Sequence, residues 1–447
     1  MKMTIYKHRL VARISLEAVS PLAVGSGEKD IITDAPVARD CNGLPYIPGT
    51  SLMGILRHSM SQENIKQLLG YQDKEKGEGS KVIISDALLT DENGKVLDGL
   101  QDTDNSEYLR HFQVLPVRQH VKITQKGTAA KTGKFDEQVV YAGTRFVFEI
   151  EELSVDGKDT CFKEMLNIIS SPTFRIGGGT RCGFGSMKVV SILYHTYDLT
   201  QEDDLKAYIK KTSCLEDDFE LAQEFKPATA LQEGWTKYTL DLTPMDFFLF
   251  SSGFGDEEAD MTPVKEERIV WENGKPRFTE ACTLIPATSV KGAIAHRTAY
   301  YWNKLTLRNV EEGTALDCEK CPAIIKLFGT TNNDDDTQQA IGNVILSDVL
   351  MEKSTSKVLP HIRIDKFTGG VMDGALFQEK VTIGKGQHIN ETLYVKNDAL
   401  EDSTIKEAFE HALSDICSGL LPLGGGTNRG NGIFTGTLYQ EGASKLS

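Results

Sequence analysis

Leu423-Gly424-Gly425-Gly426-Thr427-Asn428-Arg429-Gly430-Asn431-Gly432 decides the reading of this chain, because a near copy stands at Ile176-Gly177-Gly178-Gly179-Thr180-Arg181-Cys182-Gly183-Phe184-Gly185. Both fit Gly-Gly-Gly-Thr-x-x-Gly-x-Gly, follow a segment with helical spacing and lead into one with strand character. Three consecutive glycines free the backbone for positive φ and for close approach to another backbone. Their N–H groups can line an anion-binding concavity. Each copy carries an arginine behind the glycines, Arg181 or Arg429, which suits a phosphate chain. A tight turn that needs glycine would explain one copy equally well; two copies make chance a poor explanation. The dinucleotide fingerprint runs the other way, from strand into helix. No Gly-Lys-Ser/Thr phosphate loop is present.

Outward from the loops, other landmarks pair. Tyr46-Ile47-Pro48-Gly49-Thr50-Ser51-Leu52-Met53-Gly54 matches Leu284-Ile285-Pro286-Ala287-Thr288-Ser289-Val290-Lys291-Gly292. Leu68-Leu69-Gly70 matches Leu327-Phe328-Gly329, and Val82-Ile83-Ile84-Ser85-Asp86-Ala87 matches Val344-Ile345-Leu346-Ser347-Asp348-Val349. His120-Val121-Lys122-Ile123 matches His361-Ile362-Arg363-Ile364. Landmarks repeated in the same order indicate internal duplication.

Each half opens on a strand of alternating character: Leu10, Ala12, Ile14, Leu16 and Ala18 in one, Tyr238, Leu240 and Leu242 in the other. A helix follows, which Thr50 or Ser51 would cap in the first half. Inserted strands come next. A second helix (Phe162, Met165, Leu166, Ile169; then Ile405, Phe409, Ala412, Leu413, Ile416) precedes the glycine loop and a closing strand. This order predicts an α+β protein of two ferredoxin-like repeats, each an antiparallel sheet with two helices on one face. The repeats span 1–195 and 236–447, with a charged connector at 196–235 that is helical near 205–209.

Composition sets bounds. A chain of 447 residues, 40% hydrophobic, holds two or three domains. It has no run of about 18 apolar residues and no basic-then-apolar leader at its start, so a cytoplasmic protein without a membrane partner is expected. Eight cysteines over this length do not make a disulfide framework. A net charge of −15 opposes indiscriminate nucleic-acid binding but allows a local basic track. Acidic stretches at 202–204, 216–220 and 334–336 read as solvated loops.

The Pro-Gly-Thr-Ser-x-x-Gly helix start, the Leu-Phe-Gly and Ser-Asp-Ala/Val segments, the His-x-x-Ile segment and the glycine loop together resemble the RAMP superfamily, with its RRM-like repeats. The likeness is nearest to the RNA-binding backbone subunits of type III CRISPR effector complexes. Both halves carry it, as in a tandem fusion of two such subunits, which suggests the type III-D branch. The resemblance implies an endoribonuclease within a ribonucleoprotein. Its partners would be a guide RNA (crRNA), a complementary target RNA and other type III subunits. A β-hairpin thumb from each repeat would open the duplex, and an aspartate after the first strand would cleave the target with Mg2+ or Mn2+.

Carried onto this chain, the catalytic aspartate is Asp34, directly before Ala35-Pro36-Val37. In the second half Met261 precedes Thr262-Pro263-Val264, and Asp260 stands one residue earlier. Methionine is a poor ligand for Mg2+, so a main cut at Asp34 and a weaker or absent one at Asp260 are expected. Guide contacts fall on Gly177, Gly178, Gly179 and Arg181, and on Gly424, Gly425, Gly426 and Arg429. The first helices add Ser51 and Arg57, and Ser289, Lys291 and Arg297; the thumbs add His120 and Lys122, and His361 and Arg363. Phe135 and Phe377 are hairpin anchors or duplex wedges. Cys318 and Cys321, with His296, would hold a structural Zn2+, although such a site needs four ligands. Two rival readings are a scaffold that binds crRNA without cleaving, and a guide-processing nuclease using His58 or His120 as acid–base.

Overall fold

The computed structural model describes residues 5–27, 33–73, 76–124, 127–228, 231, 233–308, 314–330 and 340–441. The acidic stretch at 334–336 lies outside them.

The alternation at the start of each half makes the central strand of a sheet. His8–Ala18 turns Leu10, Ala12, Ile14, Leu16 and Ala18 inward, each at most 1% exposed. It pairs antiparallel with Arg145–Ser154 on one side and Met187–Asp198 on the other, and Val82–Ile84 extends the sheet beyond Arg145–Ser154. Trp235–Pro244 sits likewise between Ile389–Lys396 and Phe434–Gln440, with Val344–Leu346 outside Ile389–Lys396. The strand order is the same in both repeats. Gly49–Ser59 and Thr160–Ile169 bury Leu52, Leu56, Phe162 and Met165 against the first sheet; Ala287–Leu305 and Ser403–Cys417 bury Val290, Ile294, Ile405 and Phe409 against the second. Full burial of each such side chain contributes about 1.5–3 kcal/mol.

The caps differ from expectation. Neither Thr50 nor Ser51 caps its helix through a side chain. Asp86 does so from the neighbouring strand, its Oδ1 accepting from the Gly49 N–H at 2.7 Å. Asp348 does the same for the Ala287 N–H at 2.8 Å. The Ser-Asp motif of each repeat is therefore a helix cap supplied from a distance, which local sequence rules do not detect.

Two features depart from a plan of two separate repeats. The connector belongs structurally to the first repeat: after helix Glu202–Lys210, Gln223–Glu224 adds to the open edge of Met187–Asp198. A hairpin of the second half, Ile269–Glu272 with Lys275–Phe278, enters the first core. Trp271 donates from Nε1 to the Gly143 carbonyl at 2.8 Å, Arg145 lies 3.8 Å over the Trp271 ring, and Phe278 packs among Tyr108, Phe112 and Tyr141.

Candidate nucleic-acid interface

The two glycine loops have one backbone conformation. Gly177, Gly179, Gly183 and Gly185 have φ of 88°, 62°, 107° and 75°; Gly424, Gly426, Gly430 and Gly432 have 89°, 70°, 93° and 78°. Any other residue would be strained at these positions. The middle glycines do not offer their N–H groups to an anion. Gly178 donates to the Ala23 carbonyl at 2.6 Å and Gly425 to the Leu249 carbonyl at 2.7 Å. A Cβ on Gly177 would lie 2.3 Å from the Ala23 oxygen, so close backbone packing is what that glycine serves.

The arginines behind the glycines are not equivalent. Matching loop bonds, Cys182 N–H to Gly179 and Arg429 N–H to Gly426, pair Arg429 with Cys182 rather than with Arg181. Arg181 points into the second repeat and donates from Nε to the Gly342 carbonyl at 2.9 Å. Burial pushes its pKa down. Lys291 donates to the Arg181 carbonyl at 3.1 Å, and burial lowers its pKa too. Arg175, 5% exposed, donates to the Ser347 hydroxyl at 2.9 Å, and burial brings it down to about 10. The first loop is thus seated on the second repeat. Arg118 of the first thumb joins this seam, forking onto Glu266 at 2.7 and 2.6 Å and reaching Asp348 at 2.6 Å. Burial opposes its charge, but the two carboxylates outweigh burial and hold its pKa raised. Arg429, by contrast, turns back onto Glu379 of its own thumb.

The thumbs are Val117–Ile123 with Ala129–Gln138, and Ser356–His361 with Phe377–Ile383. Cross-strand partners His120 and Phe135 stack with ring centroids 4.8 Å apart; His361 and Phe377 repeat this at 4.8 Å. Glu137 and Glu379 approach the same histidines at 3.8 and 3.1 Å. Burial lowers the His120 pKa, aided by Arg118. Both phenylalanines therefore sit part-way along the hairpin beside a histidine. Phe135 is itself exposed, and so are apolar side chains nearer the tips: Val121 and Ile123 in the first thumb, Ile362, Ile364 and Phe367 (87% exposed) in the second.

Beside each stacked pair stands an exposed aspartate. Asp34 accepts from the Asp136 N–H at 3.1 Å, through Oδ2, while its own N–H donates to the Asp136 carboxylate at 2.8 Å. Asp260 accepts from the Gln378 N–H at 2.8 Å, also through Oδ2. Asp136 and Gln378 each follow the stacked phenylalanine directly, so the two aspartates occupy one structural position. The next bonds agree: Gln138 N–H donates to the Ala35 carbonyl and Lys380 N–H to the Met261 carbonyl. Met261 is the counterpart of Ala35, not of Asp34. The proline register used to align the sequences is one residue out. The nearby Asp256 and Glu258 both pair with Lys380, at 2.9 and 2.6 Å.

Other candidate residues are dispersed. Arg57 gives its guanidinium to the carbonyls of Leu69 and Gly70 at 2.6 and 3.2 Å. Arg297 bonds to the buried Asp415 at 2.5 Å, tying the two helices of its repeat. Neither of these bonds reaches a glycine loop, so they do not tie the two arginines into a basic track with it. Ser51 and Ser289 lie in first helical turns, their N–H groups donating to Pro48 and Pro286. Lys122 pairs at the surface with Glu319 at 2.8 Å, and Arg363 is exposed. His296 Nδ1 and Cys318 Sγ are 3.1 Å apart, but Cys321 is fully buried in the apolar core. Among the described residues no three His, Cys, Asp or Glu side chains are grouped to hold a metal. Among the described residues the Cys318, Cys321 and His296 set therefore lacks the four ligands that a structural zinc needs.

A model of the RAMP superfamily matches residues 15–188 and 266–435, one stretch in each repeat and together most of the chain. No curated protein matches it. Among the described residues no helix is long and apolar enough to cross a membrane.

Proposed function

The chain belongs to the RAMP superfamily, CRISPR-associated proteins that work with guide RNA, and on that premise we propose that it is a crRNA-holding backbone subunit that cuts complementary target RNA once per repeat. The complex would be of type III, nearest type III-D in fusing two backbone units. The shared strand order, with both helices on one face, supports a ferredoxin-like, RRM-like reading of each repeat. One observation carries the cleavage reading: each repeat fixes an exposed carboxylate, Asp34 or Asp260, against its own thumb strand by the same backbone bond.

In this mechanism the apolar thumb tips wedge the guide–target duplex, as side chains inserted between bases do elsewhere. An unstacked target nucleotide can bring its 2′-hydroxyl in line with the adjacent phosphate. The 2′-oxygen attacks phosphorus and the 5′-oxygen leaves, giving a cyclic phosphate and a free 5′-hydroxyl. Asp34 or Asp260 helps take the 2′ proton. One carboxylate per site is a sparse donor set, which suits Mg2+ or Mn2+ only alongside phosphate oxygens of bound RNA. A cation held so would stabilise charge developing on the phosphate. Guide processing is disfavoured because His58 is bonded to the Gly54 carbonyl at 2.7 Å and His120 is buried against Phe135.

The test is the complex assembled on a guide RNA with a labelled complementary target. Asp34→Ala combined with Asp260→Ala should abolish cleavage while target affinity stays within about two-fold. Undiminished cutting by the double variant would reject the site. Wild-type complex that binds target without cutting it would favour the scaffold reading.

A further inference from the structure

The seam between the repeats joins two faces, and each face has a second copy that is uncovered. One face is the glycine loop with the thumb strand beside it. In the first repeat its Gly183 is buried, a bridge joins Gly183 to Ser347, and Arg118 of the thumb is driven onto Asp348. The other face is the helix start capped by the Ser-Asp strand. In the second repeat the side chain of its Asp348 is 1% exposed, capping Ala287 with one oxygen and taking Arg118 with the other.

The free copies have the same backbone and the opposite burial. On the first repeat Asp86 caps Gly49 through Oδ1, yet the residue is exposed and its Oδ2 has no partner among the described residues. On the second repeat Gly430 is exposed, as are Thr427, Asn428 and Arg429. Glu266, which shares Arg118, has its counterpart in Asp40. That carboxylate is held by its own turn, accepting from the N–H groups of Asn42 and Leu44. Asp86 is therefore the acceptor that the free helix-start face offers.

The two free faces of this chain do not match each other. Arg118 pairs across its hairpin with Glu137, and the residue pairing with Glu379 in the second hairpin is Leu359. A second copy would bring leucine to Asp86 where the internal seam brings arginine. Heterologous faces that did match would build open filaments. We propose that the Asp86 face of the first repeat docks a different protein chain, one that presents an arginine from a hairpin strand beside a glycine turn, and that Leu359 keeps another copy of this chain from taking that place. This rests on the seam and not on RNA binding, and its test contains no RNA.

The experiment uses full chains and measures mass by light scattering across a concentration series. The surrogate partner is the double variant Leu359→Arg with Asp86→Asn, which carries the arginine but lacks the acceptor charge; asparagine keeps an oxygen for the Gly49 cap. Leu359→Lys with Asp86→Asn serves in its place if the arginine variant does not melt as wild type does. Wild type alone should remain monomeric. Wild type mixed with the surrogate should form a one-to-one complex, at least about 30-fold tighter than any wild-type self-association. Asp86→Asn mixed with the surrogate should form none. No complex between wild type and surrogate would overturn the proposal, as would an equal complex with Asp86→Asn. Wild type that self-associates through Asp86 would make the occupant a second copy and overturn the exclusion by Leu359.

Discussion

Asp86 and Asp348 perform the same local task in different surroundings. Each caps the first helix of its repeat from the adjacent strand, at 2.7 and 2.8 Å. Asp86 is exposed to solvent; Asp348 lies under Arg118 and the Gly183 turn. Duplication copied the backbone and its bonds, and fusion buried one copy of each face. What differs between the halves is therefore their neighbours, and effects of substitution should follow neighbours more than local geometry.

The largest expected difference is at these aspartates. Asp348→Ala removes a cap and leaves Arg118 buried with Glu266 as its one remaining carboxylate partner, which should cost about 3–5 kcal/mol. Asp86→Ala removes a cap alone, at about 0.5–2 kcal/mol. Denaturant titration of both variants checks this, and equal losses would break the comparison.

The glycines of the two turns come next. Gly183 and Gly430 share a positive φ, but a Cβ on Gly183 would fall 2.4 Å from Asp348 Oδ1, whereas one on Gly430 would meet nothing within 4 Å. Gly430→Ala should cost about 1–2 kcal/mol for its left-handed backbone. Gly183→Ala should exceed it and also loosen the seam, seen as faster hydrogen exchange on both sides of it.

An effect of opposite sign is expected within the cores. Where the first repeat pairs Ile14 with Phe148, the second pairs Leu240 with Glu391. Among the described residues neither Glu391 oxygen has a partner, and burial holds its pKa well above the ordinary carboxylate value, helped by Asp348. With a raised folded pKa, its contribution is fully present below about pH 4.5 and is lost as pH rises toward the folded value. Glu391→Leu should therefore stabilise the protein by about 1–3 kcal/mol at neutral pH and flatten the fall in stability above about pH 4.5. A destabilised variant would mean that the carboxyl has an unseen partner.

The repeated backbone was legible in the sequence because it is written in local signals. Alternation in 8–18, the spacing of Phe162, Met165 and Leu166, and the paired glycine loops all depend on residues near one another. The environment was not legible. The caps by Asp86 and Asp348, the seat of Arg181 on Gly342 and the Trp271 hairpin in the first core join residues far apart in the chain. The register of Asp260 was not legible for a related reason. Pro36 and Pro263 suggested a register, but the backbone bonds of Gln138 and Lys380 place Met261 with Ala35. Arg57 and Arg297 looked available for phosphate because sequence records charge and not the carbonyls and carboxylate that occupy it.

The position shared by Asp34 and Asp260 bears most directly on function. The decisive measurement maps cuts on one labelled target RNA by complexes carrying wild type, Asp34→Ala or Asp260→Ala. Catalytic geometry is intolerant, since a misplacement of about 1 Å can cost roughly 100-fold in rate. Equivalent placement thus predicts two cuts with rates within about ten-fold of each other, one removed by each substitution. A single cut that survives Asp260→Ala and disappears with Asp34→Ala would contradict it.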